Sequence, residues 1–211
     1  DVLLEDLNSS HARVAAGLGA GRVATDDEPV DAIVVASPPA AIAGVVTRMP
    51  ERHPEAVITD VGSVKSSIIR AVTAASDRPE RYVPGHPMAG SQLTGPLTAS
   101  ADLFTDRTWV ITPQAGNSPE DVDLVHRLAR LCGARVVELD ADLHDEAVAQ
   151  VSHVPHLMSI LTASHLRGVP GENLILAGQG IRDVTRIAGS DPGLWRQIIT
   201  TNSAAIRREL N

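Results

Sequence analysis

The chain has 211 residues, 43% of them apolar but only 2% aromatic, and a formal charge of −8. That length allows one large or two small domains, with a core packed by Ala, Val, Leu and Ile. The negative balance argues against a nucleic-acid or anionic-membrane surface, so an anionic ligand needs a local cluster of cations. Cys132 is the only cysteine, which rules out an internal disulfide and fits a reducing, cytoplasmic compartment. No apolar run reaches membrane-spanning length and no signal peptide is visible.

Strand and helix alternate through the first two thirds. Val2–Glu5 reads as a strand and Ser9–Leu18 as a helix capped by Asn8 or Ser9 and stopped at Gly19. Ala32–Ala36 is a continuous apolar run, the pattern of a strand buried on both faces. Ser37-Pro38-Pro39 turns into a helix ending near Arg48. Val57–Asp60 is the next strand, followed by a turn at Gly62 and a helix from Ser63 to about Ala75. Tyr82–His86, Trp109–Thr112 and Arg135–Leu139 complete the strands, with a helix over Glu120–Cys132. This alternation predicts a mostly parallel sheet with right-handed crossovers. From Asp140 onward only helices are predicted: Ala141 to about Leu166, kinked or split at Pro155, then Glu172–Ala177, Ile181–Ile187 and Pro192–Arg208. The expected division is an α/β domain over 1–139 and a helical domain over 140–211.

A doubly wound nucleotide-binding domain opens with a strand and a Gly-rich phosphate turn. Neither precedes Val2, and the Gly-rich Gly17–Gly21 follows a helix. The expectation is therefore a domain entered after its first strand, phosphate turn and first helix, and a helical pattern that continues past Asn211.

Five stretches carry chemistry. Gly85-His86-Pro87-Met88-Ala89-Gly90 presents an imidazole at a strand terminus, where open α/β sheets bind ligands; taken alone, it reads first as a turn histidine with no task. Asp6 follows the first strand, where an acid bonds a ribose 2′-hydroxyl and favours NAD over NADP, or serves N-cap chemistry. In Asp60-Val61-Gly62-Ser63-Val64-Lys65, Lys65 opposes the helix macrodipole, so it either faces an anionic ligand or pairs with Asp60. Ser152 and His156 in Ser152-His153-Val154-Pro155-His156 are four apart and share a helix face. His144, Asp145, His153 and His156 make a metal site conceivable, but Pro155 disrupts the spacing and no metal is expected. Arg182 and Arg186 stand four apart beside Asp183; they repel unless Asp183 or a bound carboxylate lies between them. Trp195 is either packing or a pocket wall.

Taken in chain order, Asp60–Lys65, Gly85–Gly90, Ser152–His156, Arg182–Ala188 and Asp191-Pro192-Gly193-Leu194-Trp195 resemble the prephenate dehydrogenase family, which includes arogenate and cyclohexadienyl dehydrogenases. The resemblance implies a Rossmann-like dinucleotide-binding domain joined to an all-α dimerisation domain, a homodimer, and an active site in the cleft between domains. It implies oxidative decarboxylation of a small anionic cyclohexadienyl substrate with NAD as hydride acceptor. The implied catalytic residues are His86 as base, Ser63 holding the same hydroxyl, and Lys65 adding positive potential. The implied substrate contacts are Ser152, His156, Arg182 and Arg186, with Trp195 arriving from the partner subunit. Asp6, Ser37, Pro38 and Asp60 are the implied cofactor contacts.

The chain departs from the family at Gln92, where Glu is frequent, and at Gly178-Gln179-Gly180, where three glycines are frequent. Choice between prephenate and arogenate is not readable. An inactive dimeric scaffold is one competing reading. A β-hydroxyacid dehydrogenase is another, opposed by the absence of any Lys after Asp140.

Overall fold

The computed structural model describes residues 1–25, 28–90 and 95–211, so Gln92 lies outside the described residues. Through Glu138 the elements are β1 (Leu3–Leu4), α1 (Ser9–Gly17), β2 (Arg22–Val23), β3 (Ala32–Val35), α2 (Pro39–Val46), α3 (Met49–Arg52), β4 (Val57–Asp60), α4 (Ser66–Ala75), β5 (Gly85–Pro87), β6 (Thr108–Ile111), α5 (Pro119–Leu131) and β7 (Arg135–Glu138). The elements that follow are helical: α6 (Ala141–Val148), a π-helical turn (Ala149–His153), α7 (Val154–Leu166), α8 (Gly171–Leu174), α9 (Gln179–Arg186), α10 (Pro192–Thr201) and α11 (Ser203–Leu210).

Side-chain caps set several helix starts. Asn8 accepts from the Ser10 N–H, Ser118 from Asp121, Asp140 from Asp142 and Leu143, and Asp191 from Leu194. Each satisfies an N–H with no partner inside its helix. Pro119 and Pro192 fall in first turns, where a missing N–H costs nothing.

β1 pairs with β2, β3 with β4, and β6 with β7, all parallel. β5 runs antiparallel to β6, with His86 opposite Val110. All four residues of β4 are buried. Ile58 packs with Ile42 and Val46 of α2 and Ile68 and Val72 of α4, while Val57 packs with Val125 and Ala129 of α5. Helices thus cover both faces of this strand, as its unbroken apolar run requires. The helical part has its own small core of Ala149, Ala205 and Ile206.

Several boundaries differ from the sequence reading. The run expected as one strand from Tyr82 is broken at Pro84, which has no N–H to donate. Tyr82 makes a single parallel bridge to Ile58, and the ladder resumes only at Gly85. The helix expected from Ser63 starts at Ser66. The long helix expected from Ala141 is divided by the π-helical turn just before Pro155. The helix expected over Pro192–Arg208 breaks at Asn202. The short β2 and α3 carry too little periodic pattern to be read from sequence.

Candidate active site

The site is built around the end of β4 and the turn after it. Asp60 and Lys65 are both 0% exposed. Lys65 Nζ donates to Asp60 Oδ2 at 2.5 Å and to the Gly85 carbonyl at 2.6 Å. Asp60 also accepts from the Gly62 N–H at 2.9 Å, the Tyr82 hydroxyl at 2.8 Å and the Gly85 N–H at 3.1 Å. Gly85 is therefore held at both its N–H and its carbonyl by one buried ion pair. A Cβ on Gly85 would lie 2.9 Å from Trp109 Nε1 and 3.0 Å from the Asp60 carbonyl, so only glycine fits.

This corrects two expectations. Asp60, expected to contact a cofactor, has its acceptors spent on the interior. Lys65, expected among the catalytic residues, points away from solvent into the same pair. A buried carboxylate is stable only with such a complement of donors, and a buried ammonium only with such acceptors. Burial pushes the Lys65 ammonium below its ordinary range, with the Asp60 charge opposing. Burial, with the Asp60 charge, raises Tyr82 well above its ordinary range, so its hydroxyl stays a donor.

His86 follows directly. It is 8% exposed, and its Nδ1 lies 2.8 Å from Nε2 of His144 on α6. The His144 Nδ1 lies 2.9 Å from Asp145 Oδ1. Asp145 in turn accepts from the Lys65 N–H at 2.8 Å and the Ser66 N–H at 2.9 Å. Asp142 takes the Ser66 hydroxyl at 2.5 Å. Two acids of α6 thus sit on the start of α4, where free N–H groups and the helix dipole favour negative charge. The start of α4 is capped from the helical part of the chain. Ser63 lies half-buried in the preceding turn.

Asn202, at the break between α10 and α11, donates from Nδ2 to the Asp145 carbonyl at 2.8 Å and to His153 Nδ1 at 3.0 Å. Ser152 is half-buried in the π-helical turn and His156 is buried on α7. Trp195 stacks on His156 of the same chain, ring centroids 3.3 Å apart and planes 6° from parallel. Within this chain the indole lies on its own histidine. Arg182 and Arg186 are both exposed on α9. Asp183 accepts from Gln179 at 2.8 Å rather than from either arginine, so neither guanidinium is paired among the described residues.

Asp6 is exposed just past β1; its Oδ1 accepts the Asn8 N–H at 2.7 Å and its Oδ2 lies 3.7 Å from His11. Ser37 and Pro38 stand between β3 and α2; Pro38 and Pro39 have no N–H, and the Ala40 N–H is taken by Gln197 Oε1 at 3.1 Å. The exposed Asp6 carboxylate fits a ribose diol.

The matches settle the kinship. The family description "prephenate dehydrogenase, nucleotide-binding domain" matches residues 1–138, and "prephenate dehydrogenase, dimerization domain" matches residues 140–211. The chain belongs to the prephenate dehydrogenase family. A probable prephenate dehydrogenase, NovF, of Streptomyces niveus is 33% identical over 100% of this chain and 58% of its own length. Cyclohexadienyl dehydrogenase of Zymomonas mobilis is 30% identical over 91% of this chain and 69% of its own. Among solved structures, prephenate dehydrogenase from A. aeolicus, in complex with hydroxyphenyl propionate and NAD+, superposes with a TM-score of 0.88 at 27% identity, covering 97% of this chain and 74% of that one. The chain thus spans 58% of the S. niveus member's length, and its fold is that of the prephenate dehydrogenase family, a Rossmann-like domain followed by a helical one.

The buried histidines give a stability prediction. Burial, with the Lys65 charge and His144, holds His86 well below the ordinary histidine range. Burial lowers His153 to about 4, the Asp145 charge opposing, and lowers His156 as well. In the unfolded chain such rings titrate near 6.5. Below that pH the unfolded state binds protons that the native state refuses, so stability falls with pH. For His153 the loss runs from about pH 6.5 to about 4 and reaches the order of 3 kcal/mol. Urea midpoints should therefore drop steadily over that window, and less steeply in His153→Gln. A midpoint constant across it would contradict buried neutral rings.

Proposed function

We propose that this chain belongs to an NAD-dependent enzyme that oxidatively decarboxylates prephenate to 4-hydroxyphenylpyruvate in tyrosine biosynthesis. One observation carries the reading: His86, a neutral buried imidazole anchored through one ring nitrogen, stands where the sheet meets the helical part of a member of this family. The A. aeolicus complex, with its aromatic acid and its dinucleotide, supports both the substrate class and the cofactor.

His86 Nε2 would accept the proton of the substrate's 4-hydroxyl, which Ser63 would hold in line. Loss of that proton lets the C4–H bond break heterolytically, its electron pair leaving as hydride. Bound NAD supplies the acceptor for that hydride. The ring carbon–carboxylate bond then breaks, carbon dioxide leaves, and its electron pair completes the aromatic ring. The 4-oxygen takes its proton back from His86, so no proton is gained or lost overall. Arg186, with Arg182, would clamp a substrate carboxylate, and Ser152 and His156 would meet the substrate from the helical side. Asp6, Ser37 and Pro38 would hold the dinucleotide, the Asp6 charge favouring NAD over NADP.

The protein would act as a cytoplasmic homodimer. Val151, Met158 and Leu161 are exposed on α7 and the turn before it, and Ile175 and Leu176 are exposed just after α8. Such apolar exposure on a segment matched to a dimerization domain suits a second copy of the chain.

Steady-state assays of the protein at its full natural length, following NADH formation with prephenate, test the reading; no turnover of prephenate or arogenate would overturn it. Arogenate remains the second reading, favoured by the Z. mobilis relative's name, cyclohexadienyl dehydrogenase. Arg186→Ala should raise the substrate KM about tenfold to a hundredfold, the loss of a charged hydrogen bond, and leave kcat and stability nearly unchanged. An unchanged KM in a folded variant would remove Arg186 from the clamp.

A further inference from the structure

The contacts of His86 continue past its own ring. Asp145 is 6% exposed and carries two backbone N–H bonds. Burial alone would raise it, but the bonds from His144, Lys65 and Ser66 outweigh burial and hold it below the ordinary carboxylate range. A carboxylate only accepts, so the proton in the 2.9 Å contact belongs to His144 Nδ1. In a neutral His144, Nε2 is then the ring's acceptor. The 2.8 Å contact between His144 Nε2 and His86 Nδ1 must be filled by the proton of His86 Nδ1. That leaves the lone pair of His86 on Nε2.

Resting on the function proposed above, we propose that His144 and Asp145 are positioning residues for the reaction: Asp145 sets the tautomer of His144, and His144 sets that of His86, so that His86 presents a base rather than a donor. When His86 takes the hydroxyl proton, its Nδ1–H stays bonded to His144, whose far nitrogen faces the Asp145 charge. The resulting imidazolium is stabilised without any proton reaching Asp145. The relay spans both halves of the chain, His86 on β5 and the other two on α6. The base is therefore correctly protonated only when α6 is docked on α4.

Asp145→Asn tests the relay. The amide oxygen would keep the Oδ1 position, where the Lys65 N–H also needs an acceptor, but the negative charge facing the His144 ring is lost, and with it the support of the His86 imidazolium. The expected result is a fall in kcat of about 10²–10⁴-fold, with KM and NAD affinity within about threefold; an unchanged kcat would overturn the proposal. Because this residue also caps α4, a second measurement does not depend on the variant folding. Nitrogen-15 spectra of histidine-labelled wild-type chain, with rings assigned through His86→Asn and His144→Gln, report each tautomer directly. Protons on Nδ1 of both His86 and His144 are expected, and a proton on Nε2 of His86 would overturn the relay. The spectra need no substrate. Absence of turnover with both rings protonated at Nδ1 would sink the proposed function alone, and turnover with His86 protonated at Nε2 would sink the relay alone.

Discussion

His86→Asn is expected to lower kcat by about 10²–10⁴-fold, the usual contribution of a positioned general base, while NAD affinity changes little. Asparagine is the informative replacement. Its side-chain amide donates toward His144 Nε2, as the imidazole Nδ1–H does at 2.8 Å, so the tie between β5 and α6 is kept. Gly85, gripped by Asp60 and Lys65, is not disturbed. What is lost is the second ring nitrogen and with it the basic lone pair; an amide oxygen is no base near neutral pH. Steady-state rates and calorimetric titration with NAD separate the two effects. A kcat within about threefold of wild type, in a folded variant, would remove His86 from the chemistry. In the wild type, the same burial that keeps the ring neutral places the acid limb of kcat/KM below the ordinary histidine range.

The parts of this protein legible in its sequence are those set locally. The buried strand Ala32–Val35, the wholly buried Val57–Asp60, and the helices over Pro119–Leu131 and Val154–Leu166 announce themselves by apolar runs, 3.6-residue periodicity and caps. So does His86, through its Gly and Pro neighbours. What sequence reading missed depends on partners far apart in the chain. Asp145 meets Lys65 and Ser66 across 80 and 79 positions, and His86 meets His144 across 58. Nothing in local pattern says that a His-Asp pair on one helix will complete an imidazole on a distant strand. The only signal was a His-Asp pair just inside a helix capped by Asp140, and spacing alone read it as a weak metal candidate. The direction of β5 was hidden for a related reason. Alternation of strand and helix implies parallel neighbours, but between β5 and β6 no helix of α type intervenes among the described residues, and the pair is antiparallel.

The pair Asp60 and Lys65 shows the same limit with a larger energetic consequence. Sequence left open whether Lys65 faces an anionic ligand or its own Asp60, and the two alternatives predict opposite outcomes for Lys65→Met. A lysine at a ligand surface would cost binding and little stability. A fully buried lysine that holds Asp60 at 2.5 Å and the Gly85 carbonyl at 2.6 Å is a different case. Its loss leaves a carboxylate in the interior without its counter-charge, which is expected to cost about 3–5 kcal/mol. Asp60→Asn should be costly as well, since it leaves the ammonium unpaired and weakens the grip on Tyr82 and Gly85. The double variant should cost less than the two singles added together, because neither charge is then left alone; urea unfolding of all four proteins measures that coupling. The kinetic signature follows from Gly85. With its carbonyl released, the residue preceding His86 loses an anchor, so kcat should fall more than KM rises in whatever fraction of Lys65→Met still folds. Strict additivity of the stability losses, or a pure KM effect at unchanged stability, would return Lys65 to the ligand-facing role and unseat the buried pair as the support of the catalytic strand.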